Sequence, residues 1–135
     1  MARGSGTEND PWVLATPSGG SEYTLYRDPD ADPPVLVALV GKTTLTYLDR
    51  ALDDLHAWLV EGGDWVPLGG SDEQRPPVAG TVEAWARTAT NPVGGFYGQK
   101  KGLRGRFGVY VPPALVAQGR AEIAIENRKA RIRAL

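Results

Sequence analysis

Gly41-Lys42-Thr43 is the first set of residues in this chain that could do chemistry, because a phosphate-binding loop ends in Gly-Lys-Thr. Such a loop needs a first glycine five positions before the second, so that successive amides curl around the phosphates. Leu36 occupies that position, inside the apolar run Val35 to Val40, so a hairpin turn is expected at Gly41-Lys42 instead. Asp28, Asp30 and Asp32 carry the spacing of the first calcium-loop ligands, but the loop's sixth residue should be glycine and its twelfth a bidentate glutamate. Pro33 and Leu39 stand there, which leaves a solvated acidic turn. His56 is the only histidine and falls beside a leucine stripe, as a packing residue would. Asp53 and Asp54 are adjacent and diverge on a helix, so they make poor partners for paired-carboxylate catalysis. No spacing suggests a Ser-His-Asp set. The chain has no cysteine, which excludes disulfides, thiolate metal sites and thiol catalysis. No catalytic residue, cofactor or metal is expected.

The segment Phe96-Tyr97-Gly98-Gln99-Lys100-Lys101-Gly102-Leu103-Arg104-Gly105-Arg106-Phe107 is different, because basic side chains alternate there with aromatics and glycines. Lysine and arginine neutralise phosphates, glycine permits close backbone approach, and aromatic rings stack on unpaired bases. The aromatics also suit a core, and that is where Phe96, Tyr97, Phe107 and Tyr110 are expected. A second basic cluster, Arg128, Lys129 and Arg131, follows near the end.

These clusters belong to a chain whose charge is divided. Up to Gly95, 6 Lys and Arg stand against 14 Asp and Glu; from Phe96 onward, 9 stand against 2. The net charge of −1 conceals this division, which suits a basic lobe that meets a polyanion, or two halves that attract each other. A length of 135 residues and an apolar share of 41% fit one folded domain. The 17 glycines and 11 prolines imply short elements and many turns. No run has signal-peptide or membrane-spanning length, so a cytoplasmic protein without membrane contact is expected.

The elements that must position the basic clusters can be read in outline. Residues 1–10 are small and polar and are expected as a flexible tail. Glu22 to Arg27, Val35 to Val40 and Thr43 to Tyr47 form a β-meander over 22–47, interrupted by the proline-rich loop 28–34. Leu48, Leu52, Leu55 and Leu59 recur at helical spacing and predict a helix over 48–61. Thr46 and Asp49 resemble its capping box and Gly62-Gly63 its stop. A short apolar piece, Trp65 to Leu68, precedes the polar stretch 71–80, the best linker candidate. Thr81 caps a second helix through about Arg87, with Trp85 inward. Pro112-Pro113 opens a short helix that ends at Gly119. Ala121 to Glu126 and Ala130 to Leu135 alternate as the strands of a terminal hairpin with Asn127 to Lys129 as its turn. The expected core is Val35, Val37, Leu39, Leu52, Leu55, Leu59, Trp65, Trp85, Leu115, Ile123, Ile125 and Ile132. The fold class is α+β: a small N-terminal antiparallel meander, two or three helices and a C-terminal β-hairpin, in one domain spanning 1–135.

From residue 48 onward the order of elements, with a basic segment before a helix and a basic hairpin tip, resembles a winged helix-turn-helix. That resemblance implies a third helix in the major groove and a wing on the DNA backbone. Gly102, Gly105, Gly108 and Pro112-Pro113 interrupt the would-be recognition helix. The stretches GTENDPWVL, VGKTTL, DWVPLG, GTVEAW, NPVGGFYG, KKGLRGRF and YVPP resemble, over nearly the whole chain, an uncharacterised family of short bacterial proteins. That second resemblance implies a genuine folded unit and assigns no activity.

The functional expectation is a non-enzymatic nucleic-acid-binding protein, DNA-directed and of winged-helix type. Lys100, Lys101, Arg104 and Arg106 would contact phosphates or the groove, and Arg128, Lys129 and Arg131 would act from the wing. The alternative is an interaction or self-association module, a homo-oligomer in one version, in which acidic and basic parts meet. A small enzyme or ligand-binding domain with Trp12, Trp65 or Trp85 around a pocket is the third reading.

Overall fold

A computed structural model describes residues 3–135. Its first layer is a four-stranded antiparallel sheet in sequential order: β1 (Trp12–Ala15), β2 (Glu22–Asp28), β3 (Val35–Val40) and β4 (Thr43–Leu48). Gly41-Lys42 is a hairpin turn, with Val40 paired to Thr43 and Gly41 at φ +58°, a backbone state glycine adopts without steric cost. β1 extends the expected meander by one strand, pairing Trp12 with Leu25 and Leu14 with Tyr23. Of the first ten residues, Met1 and Ala2 lie outside the described residues. The rest fold back on the sheet: Val13 N donates to Arg3 O, Arg27 N donates to Gly6 O, and Gly6 is buried.

Helix α1 (Ala51–Gly62) follows and buries Ala51, Leu52, Leu55 and Leu59, the stripe expected from spacing. Its start differs from the expectation. Thr46 and Leu48 belong to β4, and Arg50 occupies the N-cap without a side-chain capping bond, its guanidinium donating instead to Asp54 at 2.7 Å. Asp49 is engaged elsewhere, accepting two hydrogen bonds from Arg27 at 2.7 and 2.9 Å. The helix ends in a left-handed cap at Gly63, whose N–H donates to Leu59 O.

The remaining elements are short: β5 (Val66–Pro67), α2 (Val82–Trp85), α3 (Phe107–Tyr110), α4 (Pro112–Ala117), β6 (Ala121–Glu126) and β7 (Lys129–Ala134). Thr81 caps α2 as expected, accepting from Ala84 N at 3.1 Å. The terminal hairpin joins β5 in a second sheet of order β5-β7-β6. Asn127 and Arg128 have φ +52° and +64°, so the hairpin has a two-residue turn of the primed type that matches strand twist.

One core unites both sheets and the helices, with Leu25, Leu36, Ala38, Tyr47, Leu52, Leu55, Phe107, Leu115 and Ile132 inaccessible or nearly so. Val37, Leu52, Leu55, Leu59, Trp85, Leu115 and Ile132 lie where the sequence puts them. Val35, Trp65 and Ile123 are only half-buried, while Leu39 and Ile125 are 42% and 52% exposed. β3 is apolar on both faces, so its pattern carries no phase; the face toward the core is that of Leu36 and Ala38, paired with Tyr47 and Leu45.

The stretch 71–80 is anchored to the rest of the molecule. Arg87, almost fully buried, donates from its guanidinium to the carbonyls of Ser71, Asp72 and Arg75 and from Nε to Glu83 at 3.1 Å. Glu83 is inaccessible to solvent and also accepts from Gly108 N at 2.8 Å. Burial pushes its carboxyl above the usual range, while the Gly108 amide and Arg87 pull it down.

Candidate nucleic-acid interface

The basic segment 96–106 runs beside β4. Leu48 N donates to Tyr97 O, Gln99 N to Thr46 O, and Gly98 forms an isolated bridge with Tyr47. Tyr97 and Phe107 are core, as expected; Phe96 and Tyr110 are half-buried. Gly98 and Gly105 serve close backbone crossings. A Cβ on Gly98 would stand 2.5 Å from Arg104 Cα, and one on Gly105 would stand 2.3 Å from Glu73 N. Their bareness admits the chain's own backbone.

Arg104 is taken by Glu73. Its Nε and Nη2 donate to the two carboxylate oxygens at 2.8 and 3.2 Å, and the amides of Gly102 and Arg104 donate to the same carboxylate at 2.9–3.0 Å. The Arg104 guanidinium, aided by these amides, holds the Glu73 carboxyl down at about 2. That guanidinium also lies over the Phe96 ring, 4.4 Å from its centroid, with Arg87 at 5.5 Å. An incoming anion would therefore have to displace a carboxylate already bound by four donors. Arg106, at φ +59°, bends the chain into α3 and lies 3.9 Å from Asp72.

The other C-terminal cations divide in the same way. Arg120 pairs with Asp53 at 2.9 Å, Arg131 with Glu126, and Arg133 with Glu122 at 2.7 Å. Lys100, Lys101, Arg128 and Lys129 are exposed and have no carboxylate partner within 4.0 Å among the described residues. Of the seven cations expected at the interface, the structure thus assigns Arg104, Arg106 and Arg131 to ion pairs and leaves four free on two turns. Lys100 and Lys101 stand in the turn closed by Leu103 N donating to Lys100 O, beside the first sheet; Arg128 and Lys129 stand at the tip of the second.

The helix expected to read a groove carries no cation. Residues 107–117 contain no Lys or Arg, and Phe107, Val111, Pro112, Pro113, Ala114 and Leu115 are buried. Trp65, assigned to the core from sequence, instead lines a cleft of about 290 Å³ with Pro67, Glu126, Asn127, Lys129 and Arg131. Arg133 lies over its ring at 4.6 Å. What hides this from the sequence is the pairing of Val66 with Ile132, which carries Trp65 to the hairpin from 64 positions earlier than Lys129. Trp12 and Trp85 lie in the core, and neither lines the cleft at Trp65.

The β2–β3 turn holds Asp28, Asp30 and Asp32, with Asp30 N donating to Asp28 Oδ1 at 3.2 Å, and no metal-holding cluster of His, Cys, Asp or Glu occurs among the described residues. No helix among them is long and apolar enough to cross a membrane. Neither a curated protein nor a solved structure matches this chain. A family model described as a family of unknown function, DUF6855, matches residues 4–135, and the chain belongs to that family.

Proposed function

We propose that this protein is a non-enzymatic nucleic-acid-binding protein that grips the phosphate backbone through Lys100, Lys101, Arg128 and Lys129. The observation that carries the reading is the hairpin tip, where two unpaired cations stand beside a cleft walled by the half-buried indole of Trp65, one face of which Arg133 covers. A cation that neutralises phosphate next to a ring that can stack on a base is the basic unit of single-strand recognition. The order of helix, strand, three short helices and hairpin is compatible with a winged helix-turn-helix whose wing touches the backbone. The apolar surface of 107–117 supports contact from turns in preference to groove reading by that segment.

Four phosphate contacts fix an expected salt dependence. The slope of log K against log salt is about −3.6 for duplex DNA and about −2.8 for a single strand, at 0.9 and 0.7 per contact. Fluorescence-anisotropy titrations of both DNA forms at several salt concentrations test this. Joint replacement of Arg128 and Lys129 by Ala should halve the slope, and Trp65→Phe should weaken single-strand binding more than duplex binding. Absence of binding at low salt, or a slope that survives loss of all four cations, would overturn the proposal. Self-association is a second reading, favoured by the uncovered outer edge of β6. Glu73–Arg104, Asp72–Arg106 and Asp53–Arg120 join the two halves within one chain, so the charges left for such a contact are the unpaired ones.

A further inference from the structure

The second sheet turns one face to the core, marked by Ile132 of β7, which is inaccessible to solvent. Side chains alternate along a strand, so Lys129, Arg131 and Arg133 stand on the other face. Pro67 is paired directly with Arg131, and Trp65, two residues earlier, falls level with Arg133. Trp65 and Arg131 are therefore diagonal neighbours across two antiparallel strands, within reach of long side chains. Both line the cleft of about 290 Å³, whereas Arg133, which does not line it, covers the indole at 4.6 Å.

Arg131 and Arg104 are held by their carboxylates in different ways. Arg104 spends two nitrogens on Glu73, which two backbone amides grip as well. Arg131 meets Glu126 through Nη2, while its Nε and Nη1 make no hydrogen bond among the described residues. A guanidinium carries five N–H donors in a fixed planar fork. Arg131 is thus steadied by one carboxylate and keeps donors for a pair of adjacent acceptors in the cleft.

We infer that the cleft reads one unpaired guanine, its ring stacked on Trp65 and its O6 and N7 accepting from Arg131, with Glu126 positioning the guanidinium. The inference rests on the nucleic-acid reading above and adds a base preference to it. Guanine presents two adjacent acceptors on that edge, and an arginine fork meets both. Adenine and thymine set a donor, a methyl group or a C–H beside each acceptor, so neither satisfies the fork. Cytosine has adjacent acceptors in O2 and N3, but its single ring covers less of the indole than a purine, and stacking strength sets the preference. Lys129, exposed on the same face, stays available to phosphate.

Fluorescence anisotropy at one low salt concentration tests this with the full chain. The probes are a short labelled oligothymidylate and its variants with one central guanine, 7-deazaguanine, adenine or cytosine. The guanine oligomer should bind at least about five-fold tighter than the parent, the low end for one bidentate contact. 7-Deazaguanine, which lacks the N7 acceptor, should lose most of that gain. Arg131→Lys keeps the charge without the fork and should bind all five oligomers alike. Glu126→Gln should move two readouts in opposite directions: the guanine preference falls, and binding of the parent rises because the guanidinium is released to phosphate. A merely structural Glu126 would not separate the two. Oligothymidylate binding with no guanine preference, an equal gain with 7-deazaguanine or cytosine, or a preference that survives Arg131→Lys overturns the inference and leaves the phosphate-backbone reading standing. No binding of any oligomer at low salt overturns both.

Discussion

Glu83→Ala is the substitution that most directly tests how the basic segment is positioned. Glu83 joins three pieces of chain: its carboxylate holds Arg87, its second oxygen holds the amide of Gly108, and its own N–H donates to Leu68 O at 3.0 Å. Through Arg87 it also steadies Ser71 to Arg75, the stretch that presents Asp72 and Glu73 to Arg106 and Arg104. Breaking a buried ion pair from one side costs about 3–5 kcal/mol, because the remaining charge is left without its counterion. Arg87 keeps three carbonyl acceptors after the change, which places Glu83→Ala near the lower end, about 3 kcal/mol. At about 4 °C per kcal/mol for a chain of this size, the melting temperature should fall by roughly 12 °C. Glu83→Gln keeps an acceptor for Gly108 and loses the charge, so a smaller loss of about 1–3 kcal/mol is expected. Equilibrium urea denaturation followed by tryptophan fluorescence reads the free energies, and a thermal melt reads the temperature shift. The control is Arg3→Ala, which removes an exposed pair with Glu22 at 3.7 Å and should cost less than about 1 kcal/mol. A Glu83→Ala loss no larger than the control's would refute the assignment of Glu83 as an anchor.

Two further outcomes follow from the same loops. Because the folded carboxyl of Glu73 titrates at about 2, below its ordinary value of 4.5, its stabilising contribution is complete above about pH 4.5 and is lost as pH falls toward 2. The amide resonances of Gly102 and Arg104 should titrate with a midpoint near that lower value, and a midpoint in the ordinary carboxylate range would contradict the geometry. Asn91→Ala should cost about 2–4 kcal/mol in equilibrium unfolding, since the buried amide donates to Trp85 O and Gly95 O, both at 2.8 Å, and accepts from Val93 N and Gly95 N; a neutral result would show that its bonds are replaced by water.

Local signals were readable in the sequence where one segment decides its own conformation. The leucine stripe of α1, the Thr81 cap, the Gly41-Lys42 turn and the terminal hairpin each depend on neighbours a few residues away, and each is found. β1 was not legible, because four residues after Pro11 acquire strand character only by pairing with Glu22 to Leu25. The start of α1 misled for a related reason: Asp49 has the right type for a capping box, but a guanidinium from β2 claims its carboxylate. Phe96 sits between two cations, and no periodicity announces that Arg87 and Arg104 will converge on one ring from 17 residues apart. Trp65 is the same kind of failure at the candidate site.

The charge division shows why segregation along a chain is not segregation in space. Opposite charges in the two halves attract during folding, and the pairs that form are those whose backbone can hold them at short range. Glu73 meets Arg104 because two loop amides add to the guanidinium, which makes this a multi-donor site instead of a surface pair. Arg106 and Asp72, at 3.9 Å and half-exposed, gain little by comparison. Lys42, Lys100-Lys101 and Arg128-Lys129 have no carboxylate within 4.0 Å among the described residues, and each lies at or beside a place where the chain reverses within a few residues. The acidic counterpart obeys the same constraint, with Asp28, Asp30 and Asp32 crowded into the β2–β3 turn and free of Lys or Arg partners among the described residues. Unpaired charges therefore gather mainly at turns and their flanks, basic at Lys42, Lys100-Lys101 and Arg128-Lys129 and acidic at the β2–β3 turn, while Glu61 on α1 shows that a helix surface can leave one as well.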